Sequence, residues 1–278
     1  DEVDTPGSYR GLPLRLADTG SPVVTPVDGR IGVVCVGMSN ATQECSHFIG
    51  LTRGVFADGV ADNVVLVDCA VGGNAIERWI DPEFDAGLWD SCLRQKIPAA
   101  GIRPDQVRVI YHKAANQFAY PGGAYPAPDG DYAAFLDHLE QFAGRVPEKF
   151  PSVQAVYTSS RIYGGYSTNA NRGEPRSYEE GHALNSWLLG RAPTDVWHGW
   201  GPYLWAPACE SAEVNGSGIC FQRSDFQDDA VHPATGARNK VATMLQARLL
   251  RESWYRAEGA SLVPPELEDD PQDLCADN

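Results

Sequence analysis

The chain has 278 residues, 43% hydrophobic and 21% charged, with 28 Gly and 20 Pro, which argues against a disordered, collagenous or coiled-coil protein. Its 37 acidic and 22 basic residues leave a formal charge of −15 with no Lys/Arg cluster, so no nucleic acid and no anionic membrane surface is expected as a partner. The longest apolar run, residues 31–36, has the length of a strand, far short of the ~20 residues a membrane-spanning helix needs.

One large domain is expected over residues 1–278. Residues 1–30 hold several Pro and Gly without periodicity and read as an extended lead-in packed on the surface. A repeating pattern follows. Residues 30–36 form a continuous apolar run, then a helix-compatible stretch over 41–51. A second run, 63–68, ends in Ala70-Val71-Gly72-Gly73-Asn74 and precedes a helical stretch over 84–96. A third, 107–111, leads through a Gly/Pro-rich loop into a helix over 132–150. The fourth, 153–158, is followed by Ser177-Tyr178-Glu179-Glu180, a capping-box start for a helix reaching 189. The fifth run covers 201–206, and a closing helix over 235–255 carries Val241, Met244, Leu245 and Leu249 on one stripe. Beyond 259 lies an acidic tail with Pro264, Pro265 and Glu266, to which no chemistry is assigned. Strands apolar on both faces, alternating with helices, predict a three-layer αβα sandwich around a central, mostly parallel, about five-stranded sheet.

The seven cysteines, at 35, 45, 69, 92, 209, 220 and 275, lack the paired short spacings of a structural zinc site. Cys209 and Cys220 bracket a loop rich in Gly, Ser and Asn and are expected to form a disulfide. Cys35 and Cys69 lie in apolar runs and read equally as small core hydrophobes. The odd count leaves at least one thiol without an intramolecular partner. The chain starts at Asp1 rather than Met, carries no signal-like apolar segment and holds an Asn215-Gly216-Ser217 sequon, so a mature secreted or periplasmic protein is expected.

In an open parallel sheet, ligands bind beyond the carboxyl ends of the strands. After the first run, Gly37-Met38-Ser39-Asn40 places a serine on a strand-to-helix turn, where helix amino-end N–H groups would face an oxyanion. By itself such a serine also reads as a helix N-cap. After the second run, Gly72-Gly73-Asn74 can supply a backbone donor or simply a tight turn; no Lys-Ser or Lys-Thr follows to make a phosphate cradle. After the third, Asn116 offers an amide donor or a turn residue. Asp229-Ala230-Val231-His232-Pro233, just before the closing helix, sets a carboxylate three residues ahead of an imidazole that it can orient. A nucleophile, oxyanion donors and an oriented base thus converge on one predicted sheet edge.

In this order the sequence resembles the SGNH hydrolase superfamily, also called GDSL esterases. Ser39 matches the first block, Gly73 the second, Asn116 the third, and His232 with Asp229 the fifth, over residues 30–256. It departs from the family at Met38, where Asp is usual, and at Ala114, where Gly is usual, and either Gly72 or Gly73 can be aligned as the donor. The stretch Ala70-Val71-Gly72-Gly73-Asn74-Ala75-Ile76-Glu77-Arg78-Trp79 looks most like carbohydrate O-acetylesterases of the sialate and xylan type.

The resemblance implies a flavodoxin-like fold and a serine esterase that needs no metal or organic cofactor. Ser39 would be the nucleophile, His232 the base and then acid, and Asp229 its orienting partner, with the Ser39 and Gly73 N–H groups and the Asn116 amide as the oxyanion hole. The implied substrate is a small ester or acetylated carbohydrate; the alternatives are a general short-chain esterase or lipase, and a non-catalytic glycan-binding module. An imidazole base implies a kcat/KM that rises with pH through the ordinary histidine range, ~6.5. Trp79, Tyr120, Tyr125, Tyr163, Tyr166, Trp200 and Trp205 fall near strand ends where rings could stack on sugars. Asn40-Ala41-Thr42 is a second sequon, expected to be unmodified because a glycan there would obstruct Ser39.

Overall fold

A computed structural model of the chain describes residues 16–169, 171–206 and 217–267. The first four apolar runs become strands, Ile31–Gly37 (β1), Val64–Asp68 (β2), Val107–Lys113 (β3) and Ala155–Ser159 (β4), and a fifth strand is Trp197–Trp200 (β5). All neighbours pair in parallel in the order β2-β1-β3-β4-β5. That order reverses direction between β1 and β3, the kind of switch point at which flavodoxin-like sheets bind their ligands.

The helices are Ser39–Thr52 (α1), Ile76–Ile80 (α2), Trp89–Ser91 (α3), Ile97–Ala99 (α4), Gly130–Lys149 (α5), Arg176–Gly190 (α6) and Thr235–Leu249 (α7). Strand residues alternate between the two faces, so each face has its own core. Val34 and Val36 join Trp79, Phe135, Phe142 and Leu184 of α2, α5 and α6, while Val33 and Cys35 join Phe48 and Leu245 of α1 and α7. The expected αβα layering with a parallel sheet is therefore present.

Several boundaries differ from expectation, each for a local reason. The stretch 84–96 is not one helix: α3 passes into a π-helical turn, Cys92–Lys96, and then α4. Pro98 has no N–H to donate back along an α-helical ladder, and Cys92 is tethered to Cys69. The fifth strand precedes 201–206, because the ladder ends where Gly201 N–H donates to the Thr158 carbonyl (2.9 Å) and Pro202 has no donor to continue it. Helix α6 starts at Arg176 rather than from a Ser177 cap; Ser177 and Glu180 are buried inside it, and Glu180 is engaged by the Asn116 N–H. Helix α7 stops at Leu249, after which the chain turns so that Tyr255 is buried with its hydroxyl donating to Gln246 Oε1 at 2.6 Å.

Cys35 and Cys69 are not free core thiols. Buried as expected, they are oxidised: Cys35 to Cys45, joining β1 to α1, and Cys69 to Cys92, joining the end of β2 to the following helical segment. Cys220 is also disulfide-bonded. Its expected partner Cys209, the Asn215-Gly216 part of the sequon, residues 1–15 and the tail from 268 lie outside the described residues. Among the described residues no helix is long and apolar enough to cross a membrane.

The Cys69–Cys92 bridge spans 23 residues of sequence, so removing it frees a loop whose closure stabilises the fold by roughly 3 kcal/mol in the chain-entropy picture. The Cys69→Ala/Cys92→Ala double variant is expected to lose about 2–4 kcal/mol in urea unfolding; an unchanged midpoint and slope would contradict this.

Candidate active site

The site begins with a steric constraint. Gly37 has φ +148°, and a Cβ there would lie 2.5 Å from the Lys113 carbonyl oxygen and 2.7 Å from Ala41 Cβ. Only glycine lets β1 turn into α1 across the single residue Met38. Met38 sits at the N-cap with no side-chain cap, and the first helical bond runs from Thr42 N–H to the Met38 carbonyl (3.0 Å). The N–H groups of Ser39, Asn40 and Ala41 thus lack an intrahelical acceptor, and the dipole at that end favours negative charge.

The loop before α7 meets this helix end. Asp229 Oδ1 accepts from the N–H groups of Val231 and His232, both at 3.0 Å, which folds the segment into a tight turn with Ala230 at φ +54°. Its Oδ2 lies 2.5 Å from His232 Nδ1, and His232 Nε2 lies 2.9 Å from Ser39 Oγ. Asn40 Nδ2 donates to the Val231 carbonyl (3.0 Å), which fixes the loop to α1, and Gln227 N–H donates to the His232 carbonyl (2.9 Å) within the loop. Partial burial raises the Asp229 pKa, but the His232 backbone and ring and the Val231 N–H outweigh it and hold the carboxylate at about 2. It stays ionised across the neutral pH range.

These groups open onto a cavity of about 270 Å³ lined by Ser39, Gly73 and His232 together with Gln117, Lys113, Arg161, Tyr163 and Arg172. Gly73, at φ +75°, is the member of the Gly72-Gly73 pair that lines it. Asn116 is not brought there. It is fully buried, its Nδ2 donates to the Asp131 carbonyl (3.2 Å) and its Oδ1 lies 2.8 Å from His138 Nδ1. The expectation of an Asn116 amide at the rim therefore does not hold, because those neighbours draw the side chain away from the cavity. The next residue, Gln117, lines it, with Oε1 turned to the Ala75 N–H at 3.4 Å. Of the seven aromatics considered for sugar stacking, Tyr163 alone lines the cavity; Trp79, Trp200 and Trp205 are core residues.

Two charge clusters lie beneath. Lys113, at the end of β3, is wholly buried against Glu44 of α1; burial pushes the carboxyl up and the ammonium down. Arg161, just past β4, sits 3.7 Å from Glu180, and burial raises that carboxyl to about 7 against the pull of Arg161 and Arg176. Sequence reasoning passed over Lys113, Arg161 and Arg172. Lys113 and Arg161 carry the signal used for the other strands, a polar residue at or just past the carboxyl end of an apolar run. Among the described residues no group of three or more metal-ligating side chains converges.

No protein-family model matches the sequence, and none of the curated proteins does. Some solved structures align with most of the chain at low similarity. A gut microbial diltiazem-metabolizing enzyme aligns over 81% of this chain and 47% of its own, at 12% identity and TM-score 0.49, so the chain spans about half of it. An acetylxylan esterase from Geobacillus stearothermophilus aligns over 84% of this chain and 95% of its own (13% identity, TM-score 0.42). An extracellular lipase from Streptomyces rimosus aligns over 79% and 99% (10% identity, TM-score 0.39).

Glu180 makes a pH prediction. Its folded pKa of about 7 lies above the ordinary 4.5, so between these values the folded state holds a proton that the unfolded state has released. Its contribution to stability is present below pH 4.5, declines as pH rises through 7 and is flat above. Relative to wild type, Glu180→Gln is expected to gain stability as the pH of urea melts is raised across that window; a difference independent of pH would contradict the assignment.

Proposed function

We propose that this chain is a serine ester hydrolase of the SGNH type, acting through an acyl-enzyme. The observation that carries the reading is the unbroken hydrogen-bonded series from Asp229 through His232 to Ser39, opening on one cavity. His232 Nε2 takes the Ser39 proton as Oγ attacks the ester carbonyl, and Asp229 holds the tautomer and stabilises the imidazolium. The carbonyl oxygen, now negative, meets the Ser39 N–H at the amino end of α1, the Gly73 N–H and the Gln117 side-chain amide. His232 then gives its proton to the leaving alcohol, and the same steps with water release the acid and restore Ser39.

A cavity of about 270 Å³ favours a small acyl group over a long chain, in keeping with the acetylated carbohydrates that the sequence resemblance implies. The disulfides support an exported protein working in an oxidising compartment.

Ser39→Ala is expected to lower kcat/KM on p-nitrophenyl acetate and on acetylated sugars by about 10⁴-fold or more, with the circular dichroism spectrum unchanged. Gln117→Ala is expected to lower kcat by roughly 10²–10³. Retained hydrolysis in Ser39→Ala would overturn the nucleophile. A wild-type protein that hydrolyses neither class would favour a glycan-binding module, and preference for long-chain esters would favour a lipase.

A further inference from the structure

The charge lining the cavity is opposite to that of the chain. In a sequence of formal charge −15, the cavity beside Ser39 is lined by Lys113, Arg161 and Arg172 and, among the described residues, by no Asp or Glu. Lys113 is matched by Glu44, which leaves the two arginines. Arg172 is half-buried, with Nη1 donating to the Gln117 carbonyl at 2.5 Å. The Arg161 side chain is only 10% exposed, and its Nη1 is buried without a hydrogen-bond partner. Among the described residues the carboxylate nearest to it is Glu180, at 3.7 Å from Nε; Arg176 is matched by Asp131 at 3.2 Å, and Glu174 accepts from the Gly164 and Tyr178 N–H groups and from the Trp205 indole.

A buried guanidinium N–H left unpaired is costly, and native proteins rarely keep one without a use. A guanidinium is also the side chain best shaped to take a carboxylate in a planar, two-point contact. A second guanidinium, Arg172, adds charge in the same cavity; Glu180 and Glu77 act on it only at a distance, with no ion pair to it among the described residues, and the low-dielectric walls focus the field.

We propose that Arg161 and Arg172 form an acid-binding subsite, and that the ester hydrolysed at Ser39 carries a carboxylate which docks there. The substrate class rests on the hydrolase reading above, which it narrows from small esters in general to anionic ones. The carboxylate belongs either to the alcohol, as in an acetylated uronic acid, or to the acyl group, as in a hemisuccinate. The chemistry recognised is the same.

Two matched pairs test this: methyl O-acetylglucuronoside against methyl O-acetylglucoside, and p-nitrophenyl hemisuccinate against p-nitrophenyl butyrate. The wild-type protein is expected to favour the carboxylate member of at least one pair by about ten- to hundred-fold in kcat/KM, a preference that shrinks as salt is raised. Arg161→Gln is expected to cut that ratio at least ten-fold, with the change mainly in KM. Should Arg161→Gln fail to fold, Arg172→Gln, at a half-buried position, reads the same ratio. Equal rates within both pairs, or a ratio that survives both substitutions, would overturn the subsite while leaving the hydrolase reading in place. Calorimetric binding of methyl glucuronoside and methyl glucoside to the wild-type protein separates the two ideas from the other side. Tighter binding of the glucuronoside by a protein that hydrolyses no ester would keep the subsite and remove the hydrolase, and equal binding of both, with no preference in either pair, would remove the subsite.

Discussion

The turn at Gly37 is the constraint on which the site depends. The chain leaves a buried parallel strand and starts a helix within one residue, in a gap bounded by the Lys113 carbonyl and the Ala41 side chain. Any side chain at position 37 would push α1 away from β3 and carry Ser39 with it. Because the turn is so short, Ser39 opens the helix at the sheet edge, with its hydroxyl and the first-turn N–H groups on the same side. The Asp229–His232 loop is then located by reference to that helix end, through Asn40 and the Val231 carbonyl. Backbone sterics at one residue, a helix terminus and a carboxylate-closed turn together account for the geometry around the serine.

The floor beneath this edge is electrostatically expensive. A lysine and a glutamate are wholly buried together at the end of β3, and a second cluster of arginines and carboxylates fills the space behind β4 and α6. Buried pairs of this kind seldom add net stability over apolar residues of the same volume, whereas losing one partner costs several kcal/mol. They do hold fixed charges in a dry environment near the reacting atoms, where each acts more strongly than it would in water. Lys113, Arg161 and Arg172 line the cavity while, among the described residues, no Asp or Glu does, and it is on this asymmetry that the proposed acid-binding subsite rests.

Much of this was legible in the sequence because a parallel sheet buried on both faces writes its strands as apolar runs. β1 to β4 follow that rule, and the residues just past them could be searched for chemistry. β5 does not: Trp197-His198-Gly199-Trp200 contains a histidine and a glycine and does not read as a run, while the apolar residues that follow Pro202 cannot extend a ladder. The same limit hid the choice between Asn116 and Gln117. Beyond β3 the backbone leaves the period-2 pattern, so neighbouring residues are no longer assigned to opposite faces by count, and only the pull of Asp131 and His138 decides which amide is drawn inward. The Cys35–Cys45 and Cys69–Cys92 bridges were obscured for a different reason: a buried half-cystine and a buried thiol occupy the same kind of apolar position.

The central claim is that the Ser39 hydroxyl is activated by His232, and covalent trapping tests it most directly. A small fluorophosphonate should modify the wild-type protein once, with the adduct on the peptide containing Ser39, and should not modify His232→Ala at a comparable rate. A protein that resists the reagent, or an adduct on Ser177 across the same cavity, would contradict the account.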